Sequence, residues 1–342
     1  MSKRKLNKRQ AWRVEKIQQE KAKRATQKED VIAEQLTAGE LGDESEGQVM
    51  AHFGSQVEVE DKQSQDRYRC FLRANLGSLV TGDRVVFRPG ADNQGVKTGV
   101  VEMVLPRTTE LSRPNPYNEI KPVAANIDFI VLVVAPEPEA HANLIDRYLV
   151  AAENCEIEPI ILFNKIDLLT EETRPRYASL LASYEKLGYR TLRVCSHDDS
   201  SLGELKEFLN GRISVFVGQS GVGKSSLIGT LLPGEELRVG ALSENTRKGK
   251  HTTTTARLYH FPAGGDLIDS PGIREFGLWH MSPEEVLYGF REIRPEAGYC
   301  KFRDCKHEKE PGCAMLGALK AGRISEARFQ SYRRILQTLT EL

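Results

Sequence analysis

Gly218-Gln219-Ser220-Gly221-Val222-Gly223-Lys224-Ser225 decides the fold. The pattern G-x-x-x-x-G-K-S sets glycines where backbone amides must curl around phosphate oxygens, a path that demands torsions closed to other residues. Lys224 is placed to reach the β and γ phosphates of a nucleotide, and the Ser225 hydroxyl to hold Mg²⁺. The flanks agree. Ile213-Ser214-Val215-Phe216-Val217 reads as a buried strand, and Lys224 to Leu232 as the helix whose N-terminus, Ser225 and Ser226 included, faces the phosphates. Strand, turn and helix in succession define a P-loop α/β unit, with Gly218, Gln219, Ser220, Gly221, Val222, Gly223, Lys224, Ser225 and Ser226 as candidate nucleotide contacts.

The loop alone does not separate adenine from guanine. Asn164-Lys165-Ile166-Asp167 does, because it ends a second apolar run, Ile157 to Phe163. A carboxylate at that strand end, Asp167, accepts from both N1–H and the exocyclic amine of guanine. Adenine offers no such donor pair, which leaves the acceptor unpaired at a cost of about 1–3 kcal/mol. Asn164 and Lys165 complete that motif, and Cys195-Ser196, after a third candidate strand, supplies a weaker base-side contact.

Asp269-Ser270-Pro271-Gly272 follows the apolar pair Leu267-Ile268 and reads as D-x-x-G. Asp269 is expected to touch Mg²⁺, mostly through water, and the Gly272 amide to sense the γ-phosphate. Between loop and D-x-x-G lies Gly249-Lys250-His251-Thr252-Thr253-Thr254-Thr255; Thr253 or Thr254 is expected to close on Mg²⁺ when GTP is present. Ile273 stands where Ras-type enzymes carry the glutamine that orients the attacking water. Isoleucine cannot orient water, so unaided hydrolysis is expected to be slow. His251 is the nearest candidate for that task, beside Lys224 as the phosphate-binding catalytic cation.

The base reader precedes the phosphate loop, the reverse of the order in ordinary GTPases. This order, with Leu144-Ile145-Asp146-Arg147-Tyr148-Leu149, Gly218 to Leu227, Gly249 to Thr254 and Asp269 to Leu278, resembles the RsgA (YjeQ) family of bacterial small-ribosomal-subunit-dependent GTPases. The likeness runs from roughly residue 47 to the end. It implies a circularly permuted, slow GTPase that binds the small subunit and its rRNA late in assembly. It also implies stimulation by that subunit and help in releasing another maturation factor.

Cys300-x4-Cys305-x-His307-x5-Cys313 gathers three of the six cysteines and one of the seven histidines. Three thiolates and one imidazole complete a tetrahedral Zn²⁺ shell with no open position, the mark of a structural site. A disulfide reading would leave an odd cysteine. Cys70, Cys155 and Cys195 are scattered and read as buried or incidental thiols.

The formal charge of zero conceals an asymmetry. Residues 1–28 hold 11 Lys or Arg against Glu15 and Glu20, while the remaining residues carry an acidic excess of nine. A basic tail on an acidic body suits RNA backbone contact; a solvated tail without a partner is the alternative. No apolar run approaches a bilayer span and no secretion signal is seen, so a cytoplasmic monomer without membrane contact is expected.

The expected architecture has four parts. Residues 1–46 form a disordered basic tail and acidic linker. Residues 47–113 form a five-stranded RNA-binding barrel of the OB type, with an SH3-like barrel left open, and Arg67, Arg69, Arg73, Arg84, Tyr68 and Phe71 as a possible RNA face. Residues 114–280 form the doubly wound, circularly permuted P-loop GTPase domain. Residues 281–342 form a helical zinc-binding domain, opened by a capping box at Ser282-Pro283-Glu284-Glu285 and closed by a helix from Ile324 to Leu339. D-x-x-G runs directly into that last part, so GTP is expected to set the orientation of barrel and zinc domain. Competing readings are a GTP-gated RNA-binding chaperone whose hydrolysis is incidental, an ATP-using P-loop enzyme, and a DNA-binding zinc protein.

Overall fold

The structure, a computed structural model, describes residues 41–73, 76–93, 95–114, 119–234, 256–270 and 281–340. His251, Thr253, Thr254, Gly272, Ile273 and the basic tail through residue 40 lie outside the described residues. The chain divides into two compact units, with the boundary between Arg107 and Thr108.

The first unit is a closed barrel of five strands: β1 (Ser45–Phe53), β2 (Gln56–Asp61), β3 (Arg67–Leu72), β4 (Arg84–Asn93) and β5 (Val96–Val104). They run in the order β1-β2-β3-β5-β4, with β4 paired back to β1. All pairings are antiparallel except β3–β5. This five-stranded Greek-key closure is the OB arrangement and settles the choice of barrel. Alternating inward residues, among them Val49, Val57, Val59, Cys70, Val85, Phe87 and Val101, fill the interior. Gly47 and Gly99 sit where strands cross closely: a Cβ would lie 2.8 Å from the Glu60 carbonyl and 2.9 Å from that of Arg88, respectively.

Half of the expected arginine face of the barrel is neutralised. Arg67 pairs with Glu60 at 2.9 Å and Arg73 with Glu102 at 2.5 Å, while Arg69 donates to the neutral Gln56 and Arg84 to the Pro106 carbonyl. Tyr68 packs at a tilt on Phe87 rather than standing free. Neighbours of opposite charge therefore claim two of the four guanidiniums.

The second unit begins with a hairpin, β6 (Glu110–Pro114) and β7 (Ile120–Ala125), which the sequence reading did not resolve. The α/β core follows. Its strands are β8 (Phe129–Val134), β9 (Glu158–Phe163), β10 (Arg190–Arg193), β11 (Ile213–Val217), β12 (Arg257–His260) and β13 (Asp266–Asp269). They order as β10-β9-β8-β11-β13-β12, all parallel except β12. Near-continuous apolar sequence in β8, β9 and β11 is buried on both faces, as parallel strands require.

Connections supply the covering helices α1 (Ala142–Asn154), α2 (Arg174–Glu185), α3 (Gly203–Leu209) and α4 (Lys224–Leu231). Successive strands β8, β9 and β10 step one way across the sheet; β11 then lands on the other side of β8. The order reverses there, so the carboxyl ends of β8 and β11 open the crevice where doubly wound sheets bind ligands.

Three further helices close the unit: α5 (Pro283–Tyr288), α6 (Ala314–Lys320) and α7 (Glu326–Thr340). The capping box is formed in both directions, Ser282 Oγ accepting from the Glu285 amide and the Glu285 carboxylate from the Ser282 amide. Helix α7 starts two residues later than expected, and it buries Phe329, Tyr332 and Ile335.

Helices α5 and α7 lie against α1. Arg328 of α7, 7 % exposed, bonds to the fully buried Asp146 of α1 and bidentately to Glu292 at 2.6 and 3.1 Å. Asn143 reaches the Ser331 hydroxyl at 3.1 Å, and a Cβ on Gly289 would meet the Val150 Cα at 2.7 Å. Helix α1 begins at Ala142 after His141, one residue before Asn143, whose amide is spent on α7 rather than on capping. The junction between α/β core and C-terminal helices is thus filled by close packing and a buried charge cluster.

Candidate functional site

The phosphate loop leaves β11 at Gly218 and enters α4 at Lys224. Gly218, Gly221 and Gly223 all have positive φ, of 137°, 85° and 93°. At two of them space decides as well. A Cβ on Gly218 would lie 2.2 Å from the Val133 carbonyl of the neighbouring strand, and one on Gly223 2.4 Å from Asn164 Nδ2. Val222 turns inward and is 2 % exposed, while Gln219, Ser220, Gly221, Ser225 and Ser226 face solvent. The Lys224 ammonium arches back over the loop to the carbonyls of Gly218 at 2.6 Å and Gln219 at 2.7 Å.

The base-reading segment leaves β9 alongside. Asn164 is fully buried, and its amide does two things: Nδ2 donates to the Val222 carbonyl at 3.0 Å, and Oδ1 accepts from the Ser196 amide at 3.2 Å. One side chain thereby joins the base reader, the phosphate loop and the loop after β10. Lys165, left-handed at φ 59°, donates to the carbonyls of Gly221 at 2.7 Å and Glu137 at 2.8 Å. Asp167 lies exposed in the single 3-10 turn Ile166–Leu168. The Cys195 thiol donates to its carboxylate; burial and then that carboxylate push the thiol up from its ordinary value.

The loop carrying Cys195 and Ser196 has its own braces. The Ser201 hydroxyl accepts from the Cys195 amide at 2.9 Å, and Thr230 of α4 donates to the Ser196 carbonyl at 3.0 Å. Neither Ser201 nor Thr230 carries a sequence signature. A third element missed from sequence is the turn Pro136 to Glu139 after β8, whose Glu137 carbonyl holds Lys165 and whose Pro138 stands at van der Waals distance from a Cβ placed on Gly221. Its alternating Pro-Glu spelling directly after a buried strand is the signal that could have marked it.

Asp269 ends β13, and the parallel register with β11 (Ile213 to Asp266, Ser214 to Leu267) carries it toward the same strand ends as Gly218. Structure thus brings Asn164, Lys165, Asp167, Cys195, Ser196 and residues 218–226 to one crevice.

In the C-terminal part of the chain, one donor atom from each of Cys300, Cys305, His307 and Cys313 lies within 4.8 Å of the others. Cys300 Sγ is 3.9 Å from Cys313 Sγ and 3.5 Å from His307 Nδ1, and that nitrogen is 3.4 Å from Cys313 Sγ. Tetrahedral bonds of the lengths zinc makes to sulfur and nitrogen would separate the donors by about 3.8 Å (S···S) and about 3.5 Å (N···S). The donor set and its spacing therefore fit a four-coordinate metal.

Strand order, reversed motif order and the Asn164 bridge define a circularly permuted P-loop GTPase fold, here with a Cys3His cluster. The sequence pattern of the RsgA GTPase family matches residues 104–279. The chain belongs to that family. It is 56 % identical over 346 residues to the Small ribosomal subunit biogenesis GTPase RsgA of Marinobacter nauticus, covering 100 % of this chain and 97 % of that one. The protein of the same name from Ectopseudomonas mendocina is 58 % identical over 344 residues, with 100 % and 99 % covered. Among solved structures, YjeQ from Thermotoga maritima superposes with a TM-score of 0.71 at 33 % identity, covering 87 % of this chain and 99 % of that one. The circularly permuted GTPase YloQ gives 0.68 at 30 % identity, with 87 % and 96 % covered. Among the described residues no helix is long and apolar enough to cross a membrane.

Proposed function

We propose that this protein is a GTP hydrolase that binds the small ribosomal subunit and assists its late maturation, nucleotide state governing its own release and that of another assembly factor. The Asn164 bridge carries the nucleotide half of this reading, because it makes base reader and phosphate loop a single pocket. The names of the full-length relatives support the ribosomal half.

In this reading Asp167 pairs with the guanine edge, the Cys195-Ser196 loop, pinned by the Asn164 bridge, lines the base side, and the amides from Gly218 to Ser226 receive the phosphates. Lys224 exchanges its loop carbonyls for phosphate oxygens. Mg²⁺ would be held by Ser225 and, through water, Asp269, and it would neutralise charge developing between the β and γ phosphates. With Ile273 in place of a water-orienting glutamine, turnover awaits the partner; His251 and Thr253 or Thr254 are the residues proposed to complete the site, with Gly272 sensing the γ-phosphate.

The Cys3His cluster would hold one Zn²⁺ in a closed, structural shell. Around it, exposed Tyr299 (78 %) and Phe302 (42 %) alternate with exposed Lys301, Arg303, Lys306 and Lys309. Aromatic faces among cations suit stacking on unpaired bases beside a phosphate backbone, which supports rRNA as the partner. On the barrel, Arg69 lies 4.4 Å over the Phe53 ring and offers a second such surface. The domain roles follow: a basic tail and acidic linker ahead of Ser45, an RNA-binding barrel, a GTPase core to about residue 280 and a zinc-bearing C-terminal part, working in the cytoplasm.

The test is GTP turnover with purified small or large ribosomal subunits. This reading expects strong stimulation by the small subunit alone, since groups that a partner supplies to a GTPase site can raise turnover by about 10³–10⁵-fold. Equal rates with either subunit and with neither would contradict it.

A further inference from the structure

The loop from Cys305 to Glu310 carries two of the four metal donors, and its backbone amides can be accounted for one by one. Cys305 N–H donates to the Phe302 carbonyl at 3.3 Å, and His307 N–H to the Cys305 sulfur. The other four turn to one side chain: Lys306 N–H to Glu310 Oε1 at 2.9 Å, Glu308 N–H to Oε2 at 2.8 Å, Lys309 N–H to Oε2 at 2.9 Å, and the N–H of Glu310 to its own carboxylate. Between them His307 sits at φ 59°, a left-handed backbone that is strained for a residue with a side chain. Such a turn is retained only where its surroundings over-determine it.

The Glu310 oxygens are turned to amides and are not among the donor atoms of the cluster. We infer that Glu310 is a positioning residue for the metal: its carboxylate folds the loop so that Cys305 and His307 already face Cys300 and Cys313 before a cation arrives. Without it, four amides lose their shared acceptor and the left-handed turn at His307 loses its support. The cation must then order the loop as it binds, and affinity falls by that ordering cost. Groups behind metal ligands typically contribute at this level.

This inference rests on reading the cluster as a metal site, and the experiment lets the two fail separately. The full-length chain is stripped of metal, titrated with Co²⁺, and then with Zn²⁺ against a chromophoric chelator; guanine-nucleotide affinity is the check that each variant is folded. Wild type is expected to show the intense d–d bands of a tetrahedral thiolate site. Glu310→Ala should keep those bands in place while Zn²⁺ affinity falls about 10–100-fold, and Glu310→Gln, which keeps one neutral acceptor, should fall between. Wild type that takes up no Co²⁺ overturns the metal site itself. Affinity within twofold of wild type in Glu310→Ala overturns the positioning role alone, as do shifted d–d bands, which would make Glu310 a ligand. Should Glu310→Ala fail to fold, Glu310→Gln decides: affinity within twofold of wild type overturns the role, and a threefold or greater loss supports it.

Discussion

Gly223 shows how one residue ties nucleotide chemistry to packing. Its φ of 93° is open to glycine, and the hydrogen in place of Cβ leaves room for the buried Asn164 amide. Gly223→Ala is therefore expected to weaken GTP binding at least about tenfold, since left-handed strain of about 1–2 kcal/mol adds to displacement of the Asn164 bridge. Titration with a fluorescent guanine nucleotide measures this. Gly229, on the exposed side of α4 with nothing within 4 Å of a built Cβ, gives the opposite result. Gly229→Ala should raise the melting temperature, adding about 0.5–1 kcal/mol of helix stability. At this scale the pocket was legible wherever function demands a particular side chain or a glycine: Asn164, Asp167, Lys224 and the three loop glycines. Thr230, Ser201 and Glu310 were not legible, because each acts by a single hydroxyl or carboxylate bonding main-chain groups, and many sequences spell such contacts.

Helix α1 is the element on which the second unit turns. One end follows the Pro136–Glu139 turn gripped by Lys165, and the body receives α5 and α7. Its buried face carries Ile145, Leu149 and Ala152. Asp146 is buried among them, a charge that pattern reading places in solvent; the distant Arg328, 182 residues on, and the Tyr184 hydroxyl donating to the same carboxylate at 2.7 Å make its burial intelligible. The buried Arg328 also bonds Glu292 and lies 4.4 Å over the Phe290 ring. Arg328→Met should cost about 3–5 kcal/mol in urea unfolding followed by circular dichroism, because two carboxylates would remain buried without their cation. Adding Asp146→Asn and Glu292→Gln should restore more than half of that loss. Additive losses would show that the three groups do not act together. The hairpin of β6 and β7 escaped notice for a related reason: short strands of mixed polarity between two domains carry no periodic signal.

At the scale of the whole molecule, cutting the chain elsewhere leaves the nucleotide crevice intact, because strand order rather than chain order builds it. The doubly wound class, the OB barrel and the Cys3His cluster were readable from strand rhythm, motif context and cysteine spacing. The junction of core and C-terminal helices was not, since it depends on contacts between segments more than 130 residues apart. All described nucleotide-site residues fall in the second unit. A fragment of residues 108–342, with its own core, is expected to bind GDP within about threefold of the full chain. It should lose stimulation by the small subunit if the barrel supplies part of the RNA contact. What the account depends on most is that Asp167 selects the base for a phosphate loop that follows it in sequence. Calorimetric titration of the full chain with GTP, ATP and XTP, repeated on Asp167→Asn, tests this directly. The account predicts guanine over adenine by about 100-fold or more in the wild type, and transfer of the preference to xanthine in the variant. Equal affinity for GTP and ATP, or an Asp167→Asn variant that still prefers guanine, would contradict it.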